Sequence, residues 1–95
     1  MIQYLKLLNL IGGYLIMINL KQFKNLIPYY QDYSVWYADV DKKNIEDYEC
    51  VYEYDDYEAD YISFMKKYGK CPVKHVLAGK AEVLHIYLKE GSLDT

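Results

Sequence analysis

There is no arginine in this chain; all eleven of its basic residues are lysine. Arginine supplies the planar, bidentate fork that reads phosphate and guanine, so its absence argues against direct nucleic-acid binding. Cysteine is scarce as well. Cys50 and Cys71 are the only two, too few for a disulfide framework, which makes a reduced, cytoplasmic setting the expectation. Serine occurs only at 34, 63 and 92, never in a nucleophile elbow. Gly12-Gly13 lacks the third glycine and the Lys-Ser/Thr of a phosphate loop. The apolar stretch 2–20 is broken by Lys6, Asn9, Gly12, Gly13 and Asn19, well short of the roughly 20 apolar residues that span a bilayer. No small-x-small cleavage site follows it, so a signal peptide is not expected either. These absences set aside serine hydrolases, phosphate-loop enzymes and a membrane partner.

What is abundant is tyrosine: thirteen in 95 residues. A chain of this length forms one domain over 1–95, with a stability on the order of 5–10 kcal/mol. Tyrosine suits a small core because it buries a large ring while keeping a hydroxyl near water. Lysine, isoleucine, asparagine and tyrosine in place of arginine and alanine also match an AT-rich genome, pointing to a low-GC bacterium or one of its phages or mobile elements.

Charge is segregated. Residues 1–31 hold three lysines and no acid, 32–60 hold eleven acids against Lys42 and Lys43, and 61–95 hold six lysines against three acids. The net charge of −3 therefore conceals a middle third at −9 between two basic flanks.

Periodicity predicts a small α+β domain. Residues 1–18 form an apolar segment that reads as a hairpin over 4–11 and 14–18 turned by Gly12-Gly13, as a helix, or as an extension ahead of a start at Met17. Leu20, Phe23, Leu26 and Ile27 share a helical face, with Asn19 as cap and Pro28 as stop. Strands follow at 34–40 and 48–54. In the second, Tyr48, Cys50, Tyr52 and Tyr54 alternate with Glu49, Val51 and Glu53, aromatics in and carboxylates out. Tyr54, Tyr57, Tyr61, Phe64, Met65 and Tyr68 then mark a second helix capped by Asp55 or Asp56 and ended at Gly69. A closing hairpin covers 73–78 and 82–89, with Leu84, Ile86 and Leu88 toward the core. The expected architecture is a small antiparallel sheet of about four strands in two hairpins, packed against one or two helices.

Residues 46–61 carry the strongest functional signal. Glu46, Asp47, Glu49, Glu53, Asp55, Asp56, Glu58 and Asp60 stand there without one base. Such a surface offers negative charge between aromatic rings, as a nucleic-acid backbone would, to a basic protein. The plainer reading is a solvated strand face and a helix start. Tyr29, Tyr30, Tyr33, Tyr37 and Tyr87 fall outside the predicted core stripes, and Tyr33 and Tyr37 are taken as the aromatic part of the partner-binding face. Cys71, His75 and His85 are metal-ligand types, but residues four apart on a strand lie about 13 Å apart, so no metal site and no cofactor are expected. Cys50 with His75 as nucleophile and base is disfavoured by the acids at 49 and 53, which would raise a thiol pKa. The expected function is a non-enzymatic protein-binding module, of the anti-CRISPR or anti-restriction type, acting on a basic host protein. The competing expectation is a structural homodimer whose acidic and basic thirds pair between copies.

Overall fold

The computed structural model describes residues 18–41 and 44–94. The hairpin expected over 4–11 and 14–18, apart from Ile18, lies outside the described residues, as do Lys42 and Lys43.

Helix α1 (Leu20–Leu26) starts where the cap residue requires. Asn19 Oδ1 accepts from the Gln22 N–H at 2.8 Å and Gln22 Oε1 accepts from the Asn19 N–H at 2.9 Å, a reciprocal box that satisfies two otherwise orphaned donors. The next N–H groups of the first turn are also used: those of Leu20 and Lys21 donate to the carbonyls of Cys71 and Gly69, both at 2.9 Å. Pro28 forces Ile27 into an extended conformation and the helix stops.

Strands β1 (Tyr33–Tyr37) and β2 (Glu49–Tyr52) form the first antiparallel pair. Helix α2 (Tyr61–Tyr68) crosses to the second, β3 (Val73–Ala78) and β4 (Leu84–Leu88). The sheet order is β2-β1-β4-β3. The α+β expectation of four strands in two hairpins under two helices is met, with one difference: β1 and β4 pair in parallel at the centre. The reason is the connection between the hairpins. A helix carrying the chain from the end of β2 back to the start of β3 makes those two strands run the same way, so their antiparallel partners must as well.

One face of the sheet takes both helices. Leu20 and Phe23 of α1 and Phe64 and Tyr68 of α2 pack on Val35, Val73, Leu84, Ile86 and Leu88. The other face carries a smaller cluster in which Tyr48 meets Tyr87 edge-on at 5.4 Å and Trp36 stacks on Tyr87 at 6.0 Å. Trp36 Nε1–H donates to His85 Nδ1 at 3.1 Å. Gly79 lies close enough to that imidazole that a Cβ there would come within 2.5 Å of Nε2.

Three expectations change. First, β2 does not keep one aromatic face. Val35 pairs with Tyr52 but Trp36 pairs with Cys50, so Val51 is an extra residue, a β-bulge. The bulge sends Tyr52 to the helix side, stacked on Tyr33 at 5.4 Å, and Tyr48 to the opposite face. Second, α2 begins at Tyr61, not near Tyr54. Asp60 caps it, with one carboxylate oxygen on the Ser63 N–H at 3.1 Å and the other on the Ser63 hydroxyl at 2.7 Å. The Tyr54 N–H is already committed to Ser34 Oγ, and Tyr57 is 95% exposed in a turn instead of lining a core stripe. Third, Tyr37 and Tyr87 are buried and belong to the two cores.

Candidate protein-binding site

β2 is an edge strand, and the eight acids surround it. Glu46 and Asp47 sit in the 3-10 turn Ile45–Asp47 that leads in, and Glu49 is its first residue. Glu53 follows its end, and Asp55, Asp56 and Glu58 occupy the turns before the cap residue Asp60. All eight are exposed. Three have structural duties: Glu53 accepts from the Cys50 thiol at 2.9 Å, Asp56 from the Glu58 N–H at 3.2 Å, and Asp60 from Ser63. The Ser63 backbone and side-chain donors hold the Asp60 carboxyl below its ordinary pKa. Glu46, Asp47, Glu49, Asp55 and Glu58 have no hydrogen bond through their carboxylates among the described residues. Among those residues the one ion pair is Lys74–Glu90 at 2.6 Å, outside this region.

Neither of the two candidate aromatic residues, Tyr33 and Tyr37, is freely exposed. Tyr37 is unavailable to a partner: its ring meets Tyr68 edge-on at 5.6 Å and its hydroxyl accepts from the Leu93 N–H at 3.1 Å. Tyr33 is half-buried, and burial together with the neighbouring hydroxyls of Tyr61 and Tyr52 pushes its phenol pKa up. The rings that stand among the acids are Tyr54, 40% exposed, and Tyr57, 95% exposed. The signal for Tyr57 was its place between Asp56 and Glu58, where a four-acid run outweighs one helical spacing.

The reactive side chains do not converge. Burial, then hydrogen bonding to and charge on Glu53, push the Cys50 thiol up to about 12, which leaves it a poor nucleophile. His75 lies on β3, three strand spacings away in the sheet order, roughly 14 Å by ordinary sheet geometry. Cys71 is buried in the helix-side core, whereas the register puts His75 opposite Tyr87, on the other face with His85. Among the described residues no three potential ligands come together for a metal ion. No helix among them is long and apolar enough to cross a membrane.

The sequence reading missed a groove between the two helices. Lys21 and Lys24 of α1 and Lys66 of α2 rim it, and Tyr61, Ile62 and Met65 form its apolar wall. Lys24 Nζ lies 5.3 Å from the centre of the Tyr61 ring. Ile62 is 79% exposed there.

No protein-family model matches the chain, and no curated protein or solved structure is significantly similar to it.

Proposed function

We propose that this chain is a non-enzymatic protein-binding module whose acidic strand edge engages a basic protein surface of the kind that grips nucleic acid. The observation that carries the reading is the uncompensated charge around β2: five exposed carboxylates with no structural partner among the described residues. Like charges held close destabilise a folded chain unless something uses them, and a cationic partner does. The same field repels nucleic acid itself, so the partner is a protein. Lysine-only, AT-rich composition supports a phage or mobile-element origin and a host enzyme as target, as for an anti-CRISPR or anti-restriction inhibitor.

The test reverses Glu46, Asp47, Glu49, Asp55 and Glu58 to lysine, none of which has a side-chain bond to lose. The immobilised wild-type chain should retain nucleic-acid-binding proteins from a low-GC bacterial lysate, and duplex DNA should displace them. The reversed variant should retain none. Unchanged retention by that variant, or indifference to DNA, rejects the reading.

A further inference from the structure

The molecule carries two surface features of opposite character side by side. One is the turn through residues 54–60, where Tyr57 projects almost fully into solvent between Asp55, Asp56, Glu58 and Asp60. The other is the groove between α1 and α2, apolar at Tyr61, Ile62 and Met65 and ringed by Lys21, Lys24 and Lys66. The groove is open to solvent and has a volume of about 430 Å³, room enough for a tyrosine ring. An aliphatic side chain as exposed as Ile62, inside a rim of cations, is the kind of patch that an aromatic anchor covers.

We infer that the chain forms a twofold dimer in which the Tyr57 turn of each copy docks into the helix groove of the other. Charge selects this occupant: four carboxylates around the ring meet three ammonium groups around the groove. Geometry closes the pair. The turn runs directly into α2, so knob and groove are neighbours on one surface, and a twofold axis between them forms both contacts at once. Tyr57 supplies the buried ring, Ile62 and Met65 the surface it covers, and the lysines orient the turn. The dimer does not depend on the proposed basic partner. It leaves Glu46, Asp47, Glu49 and Glu53 at the strand edge for that partner, and the reversal of Glu46 and Glu49 alone tests the partner separately.

Sedimentation equilibrium tests the dimer. The wild-type chain should dimerise by a concentration of roughly 1 mM or below, an association free energy of at least about 4 kcal/mol. Tyr57→Ser and Ile62→Asp should each weaken it at least about tenfold, as loss of an anchor does. Both side chains are largely solvent-exposed, and circular dichroism should show each variant folded. The deciding measurement mixes the two variants. The Tyr57→Ser copy keeps an intact groove and the Ile62→Asp copy an intact turn, so the mixed dimer regains one whole contact and should exceed either variant alone. A wild-type chain that stays monomeric, variants that dimerise like wild type, or a mixture no tighter than its components overturns the inference.

Discussion

The Cys50 thiol donates to a Glu53 carboxylate oxygen at 2.9 Å, and burial with that neighbour pushes its pKa up to about 12 from 9.0. A thiol raised that far carries far less thiolate at neutral pH than it does in the unfolded chain. Iodoacetamide at pH 8 should therefore label Cys50 at least about 100-fold more slowly in the folded protein than in denaturant, read by peptide mass mapping. Glu53→Gln should speed labelling, because it removes the charge that opposes ionisation. Equal rates in folded and unfolded protein would contradict the contact. The sign of the linked stability follows: the fold favours the protonated thiol, so this contribution is complete below about pH 9 and is lost as pH rises toward 12. The raised phenol of Tyr33 acts in the same direction. Alkali, more than mild acid, is the condition these two residues make hazardous.

At the scale of elements, capping decides where helices begin. Four acids, Asp55, Asp56, Glu58 and Asp60, compete to start α2, and Asp60 prevails because Ser63 three residues on offers both a backbone and a hydroxyl donor. Asp60→Ala should lower the thermal midpoint at pH 7. The Ser63 donors hold the Asp60 carboxyl below its ordinary pKa in the fold, so its contribution is present above the ordinary carboxylate range and disappears as pH falls through the lowered pKa. The gap between variant and wild type should close in strong acid, and a gap independent of pH would argue against the cap. The bulge at Val51 acts at the same scale. It separates Tyr48 from Tyr52 and shortens the regular edge of β2, which together with the acids discourages sheet-to-sheet pairing. That is why the inferred dimer uses a turn and a helix groove instead of the strand edge.

For the whole molecule, the parallel pairing of β1 and β4 puts Ile86 between Val35 and Val76 at the middle of the sheet, with no exposure. Both hairpins and both helices meet around it. Ile86→Ala should cost about 2–5 kcal/mol in denaturant unfolding, a large part of the on the order of 5–10 kcal/mol expected for a domain this small. A loss below about 1 kcal/mol would mean that the centre is looser than its burial implies. Charge is distributed on the same scale. The acidic middle third becomes the β2 edge and the turn into α2, while Lys21, Lys24 and Lys66 from the two basic flanks meet across the helix groove. Segregation along the chain thus becomes segregation in space.

By itself the sequence determined the features that depend on neighbours a few residues apart. The cap at Asn19, the stop at Pro28, the alternation of Leu84, Ile86 and Leu88 with His85 and Tyr87, and the run of exposed acids were all legible, because periodicity and capping are local. The tertiary structure alone decided the parallel centre, the bulge at Val51, the true start of α2 and the burial of Tyr37 and Tyr87. Each of these depends on a contact between distant residues. Ser34 claims the Tyr54 N–H, Tyr68 and Leu93 enclose Tyr37, and a second aromatic cluster covers the face that alternation had left to solvent. A tyrosine has the same local pattern whether its ring ends in a core or in water. Only the strand order and the crossing of α2 separate Tyr37, buried beneath Tyr68, from Tyr57, standing alone among its acids.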